Sequence, residues 1–288
     1  MITTTDRTIT TDDGARLAVT LHRPETPVPD SPLVVLVHGW AASRTVWHAV
    51  ARQLAAAGHT VAAYDQRGHA ASTAGEQPLS IARLGQDLAT VVDTLSPDRP
   101  VVVAGHSGGG YAALAYAAHL HAATPDAAPR RLAALLLAST ASHDQVTPAG
   151  EIRMMGSQLF TRALRVPWLG RQLLGKTLAP TATLATREQN RQLFANTPPA
   201  VRAAYFGATH DMDLRPQLAA ITAPTTVLTG TQDKIVNPNH SHHLARALPD
   251  TQLDTIPGSG HNLPLESPER LTHHISALIA RVGGYPRS

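Results

Sequence analysis

A mostly parallel β-sheet covered by helices on both faces and interrupted by one helical insertion is the α/β fold class that the sequence predicts. Two observations carry that prediction. Short apolar runs alternate with segments of helical periodicity along most of the chain, the pattern of strands joined by crossover helices. One stretch, residues 142–215, breaks the rhythm, with helix-like segments punctuated by Pro167, Pro180, Pro198 and Pro199 and no buried strand.

The elements follow in order. Arg16 to Leu21 alternates polar and apolar residues as a half-exposed strand does. A turn holding Pro24, Pro27, Pro29 and Pro32 leads to Leu33–Val37, a continuous apolar run suited to a strand buried on both faces. Val46, Val50 and Leu54 repeat every four residues, and Gly58 closes that helix. Val61–Tyr64 reads as the next strand. Ser80 then caps a helix with the stripe Ile81, Leu84, Leu88, Val91 and Leu95. Val101–Ala104 is a strand, Tyr111–Leu120 a helix and, after an Ala/Pro loop, Leu132–Ala138 a strand. Beyond the insertion the alternation resumes with Thr225–Thr229, a helix near Ser241–Leu248 and Leu253–Ile256. Ser267 and Pro268 open a last helix whose stripe is Leu271, Ile275, Leu278 and Val282. The chain thus divides into a core, residues 1–141 and 216–288, and a helical cap, residues 142–215.

Composition narrows the function classes. Of 288 residues, 43% are apolar and 16% charged, so there is ample core and the balance opposes disorder. Cysteine is absent, which removes disulfides, thiolate metal sites and a cysteine nucleophile together. The longest apolar run, Leu132–Ala138, is too short to span a bilayer, and the N-terminus lacks a basic segment followed by an apolar one. The net charge of +3 comes without a basic run interleaved with aromatics. A cytoplasmic protein with no membrane span and no nucleic-acid partner is the expectation.

Chemistry concentrates in Gly105-His106-Ser107-Gly108-Gly109, directly after one strand and directly before an apolar helix. That is the context of a G-x-S-x-G nucleophile elbow, in which a tight turn lifts the serine hydroxyl above the sheet. A serine hydroxyl needs a base, and the base needs an orienting acid. Among 16 histidines, His261 follows the last strand in a glycine-rich loop, at the sheet edge where ligands bind in parallel sheets. Asp233 follows the preceding strand, and Asp144 is the rival acid. The order Ser107, Asp233, His261 is the nucleophile–acid–histidine order of a hydrolase triad.

Together with Val37-His38-Gly39-Trp40, Asp65-Gln66-Arg67-Gly68-His69 and Thr229-Gly230-Thr231-Gln232-Asp233, these pieces resemble the α/β-hydrolase fold superfamily over nearly the whole chain. The resemblance implies eight strands, mostly parallel with the second antiparallel, and a cap after strand six. It also implies an oxyanion hole from the backbone N–H groups of Trp40 and Gly108. Ala70 departs from it, since relatives often continue Gly-His-Gly, and this bears on the local loop. Resembling epoxide hydrolases and haloalkane dehalogenases carry an aspartate at the elbow, so Ser107 points instead to a serine hydrolase cleaving a small or medium carboxylic ester. A thioesterase, a lactonase, a C–C hydrolase, a lyase or perhydrolase, and a non-catalytic binding protein on the same fold are the alternatives. Neither a metal nor a cofactor is called for.

The insertion addresses the substrate. The cap aromatics Phe160, Trp168, Phe194, Tyr205 and Phe206 supply an apolar wall, of which Phe160, Trp168, Phe194 and Phe206, with Trp40 and His106, would line a pocket for an acyl chain or ring. The cap also holds nine basic and five acidic residues, which admits an anionic substrate or carrier near the mouth.

Overall fold

The computed structural model describes residues 1–124, 128–145 and 148–283, so part of the Ala/Pro loop lies outside the described residues. Eight strands form one sheet in the order β1-β2-β4-β3-β5-β6-β7-β8. They are β1 (Thr3–Thr10), β2 (Arg16–Arg23), β3 (Leu33–Val37), β4 (Val61–Tyr64), β5 (Val101–His106), β6 (Leu132–Ala138), β7 (Thr225–Gly230) and β8 (Thr251–Ile256). The helices are α1 (His48–Ala56), α2 (Ile81–Leu95), α3 (Gly108–Ala123), the single turn α4 (Ala128–Arg131), α5 (Ala149–Met155), α6 (Gln158–Arg165), α7 (Pro167–Leu173), α8 (Leu184–Asn196), α9 (Pro199–Thr209), α10 (Pro238–Ala247), the turn α11 (Leu263–Glu266) and α12 (Pro268–Gly283). Strand β2 runs antiparallel to β1 and β4, and the other neighbouring pairs are parallel.

Strand alternation explains the two-sided core. Val35 and Val37 of β3 pack with α2, α3 and α10, whereas Val34 and Leu36 face α1 and α12. The N-terminal strand β1 is the element that apolar patterning does not reveal. Its eight residues include five threonines and bury only Ile9, because an edge strand has one neighbour and little core to face. The boundaries at the elbow also tighten: β5 runs on to His106 and α3 begins at Gly108, leaving Ser107 alone between them. Ala70 holds φ at +45°, the left-handed region that glycine favours, so this loop takes a glycine-like turn with an alanine.

Strand order sets where a ligand can go. After β3 the chain crosses to β4 on one side, then returns past β3 to β5 on the other. That reversal opens a crevice at the carboxyl ends of β3 and β5, where the Gly39-Trp40 loop and Ser107 stand. Helices α5–α9 rise between β6 and β7. The segments leaving and rejoining the sheet are tied by backbone bonds from Leu214 to Ser142 and from Asp144 to Met212, each 2.7 Å.

The loop after β4 rests on buried charge. Arg67, 1% exposed, donates to both carboxylate oxygens of Asp87 at 2.6 and 2.7 Å and to both of Asp13 at 2.9 and 3.2 Å. Its hydrogen bonds hold the Asp13 carboxyl well below the usual carboxylate range despite burial. Removing the cation leaves Arg83, at 3.2 Å from Asp13 and 3.4 Å from Asp87, as the one remaining cation on two buried carboxylates among the described residues. Arg67→Met is therefore expected to lower unfolding stability by about 3–5 kcal/mol. Urea denaturation checks this, and a change within about 1 kcal/mol would contradict it.

Candidate active site

The elbow is a strained residue fixed from several sides. Ser107 takes φ 51° and ψ −119°, a sparsely populated conformation for a residue with a side chain. Its N–H donates to Ala138 O at 2.8 Å, and its carbonyl accepts from Thr140 Oγ1 at 2.7 Å and from Gly110 N at 2.8 Å. The α3 helix meets the end of β3 so closely that a Cβ on Gly109 would sit 2.6 Å from the His38 carbonyl oxygen. Only glycine permits that approach.

Three sequence-predicted side chains converge. His261 Nε2 lies 3.0 Å from Ser107 Oγ, and His261 Nδ1 lies 3.0 Å from Asp233 Oδ2. With its proton on Nδ1, the ring donates to the carboxylate and accepts from the hydroxyl. Burial pushes the Asp233 carboxyl up, but the neighbouring His261 and N–H groups from Ile235 and Val236 outweigh it and leave it lowered. Asp144 lies elsewhere, at the base of the cap, accepting from Asp211 N and facing His210. Asp144, His210 and Asp211 also bring ligand atoms within 4.8 Å of one another, in a group that shares no residue with the Ser107 cluster.

Around this line stands a shell of neutral histidines. His38 donates from Nδ1 to Gly39 O at 2.6 Å and accepts at Nε2 from Gln66 N at 2.9 Å. His69 accepts at Nε2 from Ala41 N at 3.3 Å, and His106 donates from Nε2 to His261 O at 2.8 Å. Burial pushes His38 down to about 4 and both His69 and His106 down to about 3. His106 thus lies beside His261, with ring centroids 5.1 Å apart, and supports its loop. Among the described residues, neither the Trp40 nor the Gly108 amide N–H donates to a protein acceptor.

The aromatic residues divide. The Trp40 ring packs edge-on against Phe206 at 4.2 Å and Phe194 at 5.1 Å, with Phe160 beside them, and its Nε1 donates to Arg202 O at 3.0 Å. Trp168 does not join them and is 63% exposed. It stands on the outer side of α7, whose inner side is taken by Gly170 and Leu174, a division that composition could not reveal.

Two contributors have roles that the sequence does not mark, Tyr205 counting there only among the cap aromatics. Tyr205 of α9 is 1% exposed, and its hydroxyl lies 2.5 Å from where a Cβ on Gly108 would be while donating to Gln66 Oε1 at 3.4 Å. Glu266 accepts from Gly260 N and Asn262 N, both at 3.0 Å, and from Ala179 N of the insertion at 2.7 Å, bracketing His261. The pairing of Gly108 with a cap tyrosine becomes visible only once the fold brings residues 97 positions apart together.

Known proteins bear on this arrangement. The family model of serine aminopeptidase, S33 (Hydrolase_4) matches residues 29–268. A protein named monoacylglycerol lipase from Mycolicibacterium smegmatis is 28% identical over 266 residues, 90% of each chain. The AB hydrolase superfamily protein YisY from Bacillus subtilis is 27% identical over 263 residues, 86% of this chain and 90% of its own. A solved structure of a thermophilic esterase from Thermogutta terrifontis superposes with a TM-score of 0.76 at 26% identity, covering 96% of this chain and 99% of that one.

The histidine shell sets a pH limit. His38, His69 and His106 resist protonation in the folded state, whereas an unfolded chain takes up these protons near pH 6.5. Their contribution to stability is therefore full above pH 6.5 and is lost as pH falls toward 3. Thermal melts are expected to decline across that window, and His69→Gln to flatten the decline. A Tm unchanged from pH 6.5 to 4 would contradict it.

Proposed function

The chain belongs to the serine aminopeptidase, S33 family of α/β-hydrolase enzymes, and from that membership we propose a cofactor-independent hydrolase of small or medium carboxylic esters working through an acyl-enzyme on Ser107. The observation that carries this reading is the unbroken line of 3.0 Å contacts from Ser107 through His261 to Asp233 at the sheet's carboxyl edge.

In this reading Ser107 Oγ attacks the ester carbonyl as its proton passes to His261 Nε2. The resulting oxyanion takes hydrogen bonds from the Trp40 and Gly108 N–H groups, each worth about 3 kcal/mol in a water-excluded site. His261 returns the proton to the leaving alcohol, then deprotonates the water that releases the acid from Ser107. Asp233 stays ionised throughout and holds the imidazole tautomer. Trp40, Phe194 and Phe206 form an apolar wall suited to an acyl chain or ring, and a relative named for monoacylglycerol hydrolysis accords with that preference. Tyr205 acts as a positioning residue: through Gln66, whose backbone N–H binds His38 Nε2, it steadies the loop that presents the Trp40 amide.

Turnover of p-nitrophenyl butyrate separates the parts. Asp233→Asn is expected to lower kcat by about 10⁴-fold, and Asp144→Asn to change it less than about twofold. The reverse pattern would assign the acid to Asp144. Tyr205→Phe is expected to lower kcat about fivefold at unchanged KM, the effect of one lost hydrogen bond. An unaltered kcat would remove the tyrosine from the account.

A further inference from the structure

Six of the nine large apolar side chains standing exposed among the described residues lie between Met154 and Leu184, within the α5–α9 insertion. Three of them share a surface. On α6, Thr161 and Leu164 face inward, and Leu159, Arg162 and Val166 at i, i+3 and i+7 fall on the opposite face. Val166 leads directly into α7, where Trp168 projects away from the buried Gly170 and Leu174. Leucine, valine and tryptophan thus alternate with arginine along two consecutive packed helices.

The cations of the insertion divide by use. Arg171 and Arg191 bind Glu188, and Arg215 binds Asp213. Arg187 caps the carbonyls of Ala179, Pro180 and Ala182. Arg202 is fully buried on the carbonyls of Met155, Phe194 and Thr197. Arg153, Arg162, Arg165 and Lys176 pair with no acid among the described residues, and between positions 152 and 187 the sequence contains no aspartate or glutamate. The unspent positive charge therefore coincides with the exposed apolar face.

We propose that this α6–α7 face of the cap docks peripherally on an anionic phospholipid surface, with Leu159, Val166 and Trp168 entering the headgroup boundary and Arg162 and Arg165 meeting lipid phosphates. Apolar side chains among basic ones are the combination that binds a charged interface. Charge argues against a second copy of the same face, since a two-fold contact would set arginine against arginine. The proposal goes beyond the ester-hydrolase reading and does not depend on it.

The test is co-sedimentation of the full chain with vesicles of diether phosphatidylcholine, alone or mixed with diether phosphatidylglycerol, so that no lipid ester is turned over. Binding to the mixed vesicles is expected, with little to phosphatidylcholine alone, and it weakens as salt is raised. Leu159→Ser with Trp168→Ser, and separately Arg162→Glu with Arg165→Glu, are each expected to weaken binding about tenfold or more. Circular dichroism melts show that these surface variants remain folded. Absence of binding to mixed vesicles, or binding that both double variants retain, overturns the proposal. So does a dimer in sedimentation velocity that Leu159→Ser with Trp168→Ser converts to a monomer without any vesicle binding, which assigns the face to self-association.

Discussion

The closeness of α3 to the end of β3 is the constraint on which the rest of the site depends. Gly109 can approach the His38 carbonyl only because it lacks a side chain, and that approach forces Ser107 into its strained turn. The same contact brings the Trp40 loop beside the Gly108 amide. The candidate nucleophile Ser107 and both candidate oxyanion donors are therefore placed by one backbone packing event, before any side chain is chosen. The strain at Ser107 persists because β6 and Thr140 hold its peptide groups on either side.

A second layer keeps this geometry rigid. Arg67 and its two carboxylates anchor the loop after β4, and that loop reaches the Trp40 segment through Gln66 and His69. The insertion is built into the same structure: Trp40 binds a carbonyl of α9, Tyr205 reaches Gln66, and Glu266 bonds both the His261 loop and Ala179. Cap and core thus meet at the groups proposed to handle the oxyanion and the proton. These bonds tie the position of the insertion to that of the Trp40 and His261 loops.

The parallel core was legible in the sequence because buried strands such as Leu33–Val37 are uniformly apolar and their crossover helices carry regular stripes. Strand β1 was not, since its threonines satisfy strand preference without an apolar face to mark it. The elbow, His261 and Asp233 could be singled out because each sits just past a readable strand. Tyr205 and Glu266 could not, because their partners are fixed by tertiary packing and not by spacing. Trp168 shows the limit of composition: an aromatic residue on a two-turn helix counts equally toward a pocket wall and an outer surface. Its helical position relative to Gly170 and Leu174 decides between them.

The central claim is that Ser107 is a nucleophile activated by His261. Intact mass analysis after reaction with a fluorophosphonate probe tests it most directly. The account predicts one covalent adduct, mapped to Ser107 by peptide sequencing, lost in Ser107→Ala and greatly slowed in His261→Ala. A folded protein that forms no adduct, or one modified at another residue while Ser107 stays free, would contradict it.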